Sequence, residues 1–300
     1  MKDTMPEIRT FVGPNNCEVR SHKEVAEAAP VPVATFAELI ERIATLSFLN
    51  PHVNLFYRGQ KNNYAKDNSP GVNVTTSLLP SVYRQPTGSG ENDEMLRKKK
   101  YFKEVLPERT KKLKGWLRKL GNKHKRAGFG RGPYKDVEIF SESLWAILQH
   151  YECPTPLLDV TGSLHVACSF ATYDYEQEDA RKEGFVYVLG LPSITSHVSY
   201  LAYDGIVMVK LQAACPPEAK RPHYQQGYLV GSLPHSPKPH TYGARDLALR
   251  LVAKFHIKDA VRFWQPDGLT ALPKKLMMPE NDTIAAKVQE ICEKVPGEPT

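Results

Sequence analysis

The chain has 300 residues, of which 41% are apolar, 24% charged and 9% aromatic, and it carries a formal net charge of +7. That is enough chain to bury a core without disulfide or metal staples, and the composition excludes a disordered or membrane-embedded polypeptide. The charge is confined: residues 97–135 hold 16 Lys or Arg against 2 Asp or Glu, a local +14, so the remaining 261 residues carry −7. A uniformly basic surface is thereby excluded, leaving a basic module on a mildly acidic body.

Residues 1–33 are polar and end in the Pro-rich AAPVPVA, which predicts an N-terminal extension or small cap ahead of a main body over 34–295. Thr35 and Glu38 form a T-x-x-E capping box, and Phe36, Leu39, Ile40, Ile43 and Leu46 share one face of an amphipathic helix. VNLFYRGQ, residues 53–60, reads as a buried strand that delivers Arg58 to its end, and residues 61–71 read as loop. From Glu91 to Arg126 the pattern is largely helical with a break at Pro107. Leu113, Trp116, Leu117 and Leu120 form a stripe by which this basic helix docks, its cations outward. Residues 121–133 read as a flexible basic loop, which gives a basic helical insert over about 91–135.

Further helices are expected over Ile139–Tyr151 and Leu164–Tyr173, then strands at 185–190, 205–211, 227–233 and 251–257, then an amphipathic helix from Asp282 to Lys294. Helices first and strands later argue a single α+β domain, with a mixed, mainly antiparallel sheet and flanking helices.

Five cysteines, at 17, 153, 168, 215 and 292, are odd in number, widely spaced and free of any CxxC pair. The pattern argues against a disulfide framework and a zinc ribbon, and fits a reducing compartment. No apolar run reaches the length of a membrane helix and the first 30 residues lack a signal-peptide core, so cytoplasmic residence without membrane contact is expected. There is no P-loop, dinucleotide fingerprint, HExxH, GxSxG or kinase set, and the ten histidines show no ligand spacing, so no metal site is expected. Cys153 with His150 nearby can be weighed as a nucleophile, but an inert buried thiol is the plainer reading.

Four separated segments carry a stronger pattern: FYRGQ (56–60), SLLPSVYR (77–84), LQHYECPTPLLDVTGSLHVACSFATY (148–173) and RPHYQQGYL (221–229). In this order they resemble the FRG domain, a family named for its Phe/Tyr-Arg-Gly motif. The family pattern runs FRGQ, LLPSLxR with an acidic residue opening a helix, QHYGxPTRLLDWT before an A-x-x-FA helix, and a late QQG-type strand. Tyr57 to Gln60, Leu79 to Ser81 with Arg84, Glu94, Gln149 to Tyr151, Leu157 to Asp159, Thr161 and Gln225 to Gly227 match in turn. Pro156 and Val160 stand where the family usually has Arg and Trp.

The FRG layout is in turn similar to the ADP-ribosyltransferase fold. That resemblance implies an enzyme that uses NAD to modify a nucleic-acid or protein acceptor, as a bacterial toxin or anti-phage effector. By the same resemblance Arg58 and Gln60, with Gly59 between them, hold NAD, and Tyr57 or Tyr151 stacks on the nicotinamide. His150 belongs to the same cofactor site, Thr161 binds ribose, and Gln225 and Gln226 serve the acceptor side, where that fold usually has Glu. The chemistry is coherent: an oxocarbenium-like transition state needs firm positioning of a dianionic pyrophosphate, which a fixed arginine supplies. Glu142, Glu152 or Asp159 could replace the missing carboxylate, although Asp159 could equally tie the LLD turn to a backbone N–H.

Two other readings stay open. One is a non-catalytic FRG module that binds a nucleotide or protein ligand in the same cleft. The other is a nucleic-acid-binding protein that uses the basic insert. Lys111, Lys112, Lys114, Arg118, Lys119, Lys123, Lys125, Arg126 and Arg131 suit a phosphate backbone or an acidic partner such as an antitoxin, and a plainly solvated face is the bland alternative.

Overall fold

The computed structural model describes residues 7–13, 16–63, 78–83, 91–126, 140–201, 205–232 and 247–299, with the backbone alone at 91–95 and 122–126. β1 (Ile8–Phe11) and β2 (Cys17–Arg20) form an antiparallel hairpin, followed by α1 (His22–Glu27) and β3 (Val31–Val33). The Thr35 side chain accepts the Glu38 N–H and opens α2 (Phe36–Leu49), which buries Phe36, Leu39, Ile43 and Leu46. Ile40, expected on that face, is 46% exposed. After β4 (Asn54–Gln60), α3 (Glu91–Lys100) passes through a π turn at Tyr101–Val105 into α4 (Leu106–Arg126). The break expected at Pro107 therefore lies just ahead of it. Pro107 has no N–H to bond back, and the wider π turn takes up the missing rung.

Then come α5 (Ser141–His150), β5 (Leu158–Thr161) and α6 (Leu164–Thr172). A two-rung hairpin of β6 (Tyr173–Asp174) and β7 (Asp179–Ala180) leads to β8 (Gly184–Leu191), β9 (Val198–Leu201) and β10 (Ile206–Lys210). α7 (Leu211–Ala214) and α8 (Lys220–Tyr224) precede β11 (Gly227–Ser232) and β12 (Leu251–Ile257). α9 (Ala260–Trp264), α10 (Lys274–Met277) and α11 (Thr283–Lys294) finish the chain.

Eight strands form one sheet in the order β3-β12-β8-β4-β5-β11-β10-β9, antiparallel at every junction except β3 with β12. The α+β class and the mainly antiparallel sheet expected from the sequence are what the chain adopts. Residues 8–33, expected as an extension or cap, place β3 on the edge of this sheet, and Ile8, Val25, Val31 and Val33 join its core.

Among the described residues two large hydrophobic cores result, with a small third cluster of Val166, Tyr175 and Met277. One lies among α2, α6, β4, β8 and β12, and the other among α4, α5 and α11. β10 feeds both by alternation, Ile206 and Met208 into the first and Val207 and Val209 into the second.

The sheet has a seam. β4 pairs with β8 from Asn54↔Leu191 to Gln60↔Phe185, but it meets β5 through one pair, Tyr57↔Thr161. α6 packs against β4 beside this seam, and Gly59 is what lets it approach. A Cβ on Gly59 would sit 1.8 Å from the Ala167 carbonyl oxygen and 2.9 Å from the Ala171 nitrogen, both helix backbone atoms that cannot rotate away. Gly59→Ala is therefore expected to destabilise the fold by about 3 kcal/mol or more, read as a lower denaturation midpoint at unchanged m-value. A midpoint within experimental error of the parent chain would contradict this packing.

The basic insert does not face outward throughout. Arg109 is 2% exposed and donates to the carbonyls of Val295 and Gly297 and to the Tyr101 hydroxyl, while buried Lys98 donates to the Tyr83 carbonyl. Leu113 and Leu117 dock α4 as the stripe predicts. Lys111, Lys112, Arg118 and Lys119 stand exposed on its other side, with Lys114 half-buried. The side chains of Lys123, Lys125 and Arg126, and all of Arg131, lie outside the described residues. Among the described residues no helix is long and apolar enough to cross a membrane.

Candidate active site

Where β4 and β5 diverge, the seam opens into a cleft of about 260 Å³. β4 brings Tyr57, Arg58 and Gly59 to it, the end of α5 brings Gln149 and His150, and β5 brings Asp159, Val160 and Thr161. α6 contributes Val166 and Phe170, and Arg221 with Gln225 arrives from α8 and the turn after it. Glu152 stands at the rim with φ 71°, a left-handed conformation uncommon outside glycine.

Arg58 reaches across the seam, where its Nη1 donates to the Asp159 carbonyl oxygen at 2.5 Å. The Asp159 carboxylate lies 3.2 Å from His150 Nδ1. Burial lowers the His150 imidazole below the ordinary histidine value, outweighing the contrary pull of Asp159. Burial alone would raise Asp159, yet the His150 hydrogen bond with the charges of Arg58 and Arg221 leaves it below its ordinary value. The pair is thus an ionised carboxylate with a neutral imidazole. The carboxylate assigns the ring proton to Nδ1 and leaves Nε2 as an acceptor. Nε2 is buried and has no hydrogen-bond partner among the described residues.

The second guanidinium, Arg221, pairs with Glu152 at 3.5 Å and lies over the Tyr151 ring at 5.9 Å. Asp282, the N-cap of α11, accepts from both the Tyr151 hydroxyl at 2.7 Å and the Arg221 backbone N–H at 3.1 Å. It holds these two residues from behind the cleft.

The residues singled out in the sequence occupy distinct positions here. Arg58, Tyr57, Gly59, His150, Thr161 and Gln225 line the cleft, whereas Gln60, Tyr151 and Gln226 are not among its lining residues. Tyr57 is buried, which pushes its hydroxyl up to about 12. The Thr161 hydroxyl donates to the Gln225 carbonyl at 2.7 Å and accepts from Ser163 N–H, and the Gln225 side-chain amide donates to the Met277 carbonyl. Gln226 is exposed in a left-handed turn with φ 46°.

Two carboxylates, Asp159 and Glu152, line the cleft. Glu142 instead accepts from the Tyr200 hydroxyl. Val160, one of the two departures from the family pattern, forms part of the wall; Pro156 packs its carbonyl against Gly231. Arg84 lies outside the described residues, as does the Glu94 side chain. Arg221, Gln149 and Asp282 were not singled out as site residues. The available signal for Arg221 was its place four residues ahead of Gln225.

Residues 53–180 match the family model of the FRG domain. Residues 53–180 are an FRG domain. Comparisons with curated proteins and with solved structures find no match. The matched span runs from just before β4 to the end of β7, so it includes both strands that meet at the seam. Two letters of the FRG motif acquire separate physical roles. Arg58 ties β4 to β5 at the cleft, and Gly59 admits α6.

Proposed function

We propose that the FRG cleft binds NAD and that the protein transfers ADP-ribose from it to an acceptor. The observation that carries this reading is the convergence, at an opened seam, of two guanidinium groups with an ionised carboxylate and an imidazole whose Nε2 has no partner among the described residues. A dianionic pyrophosphate suits Arg58 and Arg221, whose planar donors fit phosphate oxygens in pairs. The apolar surfaces of Tyr57, Val166 and Phe170 offer a wall for an aromatic ring.

When the glycosidic bond breaks, nicotinamide leaves as a neutral base with the bonding pair, so no acid is required. Positive charge then develops on the ribose, and Asp159 is a fixed anion available to stabilise it. The acceptor loses a proton as its bond to the ribose forms, and His150 Nε2 is the group that takes it.

The test is to incubate purified protein with NAD, alone and with DNA, RNA or lysate, measuring free nicotinamide and the mass added to the acceptor. Nicotinamide release supports the reading. No release and no thermal shift with NAD overturn it, and a shift without release identifies a binding module instead.

For the acceptor, the exposed face of α4 is the proposed docking surface, with nucleic acid favoured and an acidic antitoxin as the competing occupant, in keeping with a toxin or anti-phage role. Changing Lys111, Lys112, Arg118 and Lys119 together to Glu should weaken nucleic-acid binding and flatten its dependence on salt by about one unit of slope per lost phosphate contact. An unchanged slope would assign binding elsewhere.

A further inference from the structure

Two thiols that stand 139 residues apart in the chain meet behind the cleft. Cys153, in the strap between α5 and β5, and Cys292, on α11, have their sulfurs 3.0 Å apart, and both are free. Arg109 Nη1 lies 3.1 Å from the Cys153 sulfur, in a guanidinium otherwise anchored on the Val295 and Gly297 carbonyls and the Tyr101 hydroxyl. Cys153 is 1% exposed and Cys292 is half-buried, so a small solute reaches Cys292 first. Disulfide bonding needs sulfurs at about 2.05 Å, a closure of roughly 1 Å from the present contact. Cys168 and Cys215 are buried with thiols raised by burial, and neither is paired with another cysteine.

We propose that Cys153 and Cys292 are a peroxide-oxidisable pair whose disulfide fastens α11 to the strap that carries Glu152 and follows His150. The proposal is independent of the NAD reading. Contact with Cys153, aided by the Arg109 charge, draws the Cys292 thiol down to about 7 against its burial, so a large share is thiolate at neutral pH.

The Cys292 thiolate attacks one oxygen of a hydroperoxide. The O–O bond breaks, a sulfenic acid forms, and the other oxygen leaves as water or an alcohol after taking up a proton. Cys153, whose thiol is held raised by its contact with Cys292 and by burial, gives up its proton to the departing hydroxide as it attacks the Cys292 sulfur, and Arg109 stabilises the negative charge that develops on it. The S–S bond forms, the S–O bond breaks and water departs. Two thiols have lost two hydrogens and two electrons, and the peroxide has gained them. Because Asp282 at the head of α11 holds the Tyr151 hydroxyl and the Arg221 backbone, the new bond braces the cleft from behind.

The test treats the full, reduced chain with hydrogen peroxide at neutral pH, alkylates it under denaturing conditions and maps the digest by mass. The expected product is a Cys153–Cys292 linked peptide, lighter by two hydrogens than its separate thiol peptides, with Cys17, Cys168 and Cys215 alkylated. Dithiothreitol should restore both thiols, and the oxidised protein should melt at a higher temperature than the reduced one. Cys153→Ser should trap a sulfenic acid at Cys292 that dimedone labels, whereas Cys292→Ser should leave Cys153 a thiol. The proposal is overturned if peroxide leaves both wild-type thiols intact, carries Cys292 to sulfinic acid with no linked peptide, or joins other cysteines.

Discussion

Arg58→Ala is expected to lower nicotinamide release from NAD by about 10²- to 10³-fold, the loss typical when a fixed electrostatic partner is removed from an active site. The side chain has two jobs, and the experiment must separate them. Its Nη1 bond to the Asp159 carbonyl bridges β4 and β5 where they share only the Tyr57↔Thr161 pair. Losing that bond costs about 1–3 kcal/mol of stability. Its charge lies beside the cleft and helps keep Asp159 ionised.

Arg58→Lys keeps the charge but not the planar fork, so it should recover part of the stability and little of the release. Melting curves of both variants, run beside the kinetics, tell a ligand clamp from a strut. If folded Arg58→Ala protein releases nicotinamide at the parent rate, Arg58 is a strut only.

Asp159→Asn should be more severe for transfer, by about 10³- to 10⁴-fold, as when a carboxylate that fixes a histidine tautomer is lost. The amide has no negative charge for the ribose, and its NH2 group can donate to Nδ1, moving the ring proton to Nε2. The pH profile supplies a second readout. Burial holds the folded-state value of His150 below its ordinary 6.5, so transfer should fall on acidification along a limb lying below that pH. Asp159 raises His150 by its hydrogen bond and charge, and removing it should move the limb lower still.

Stability follows the same sign. A neutral buried His150 resists protonation, so folding free energy declines as pH drops from 6.5 towards the lower folded value. The contribution of ionised Asp159 is lost at still lower pH, as its own depressed value is crossed. An acid limb at or above pH 6.5 that persists in Asp159→Asn would remove His150 from the proton-transfer step.

The sequence was most legible where a pattern was long or a chemical signature local. β12 occupies the expected residues 251–257, and β4, β8 and α11 lie within one residue of expectation at each end, because each joins a sustained apolar run to a clear stop. β3 and β9 have three and four residues, too few to establish a period, and their place is fixed by neighbours far along the chain. Arg58 was legible through its motif. Arg221 was not, since one arginine before a proline looks like any surface cation. Charge counting found the basic insert but could not know that Arg109 and Lys98 point inward, because direction is set by the helix phase against α11 and the preceding strap. The Cys153–Cys292 contact leaves no local trace at all.

The single rung at the seam also bears on how such a protein can be cut and recombined. The span matched by the family model, 53–180, contains β4 and β5 but not β8, against which β4 pairs along its full length, nor β11, against which all of β5 pairs. Excised on its own, the recognisable segment would retain two strands of the eight-stranded sheet, joined by one residue pair and each with its principal edge bare. The segment by which the family is identified is thus smaller than the unit that can fold. A chimera that transplants the cleft into another protein with an FRG domain must carry β8 and β11 with it, or find strands in the host that fit both edges.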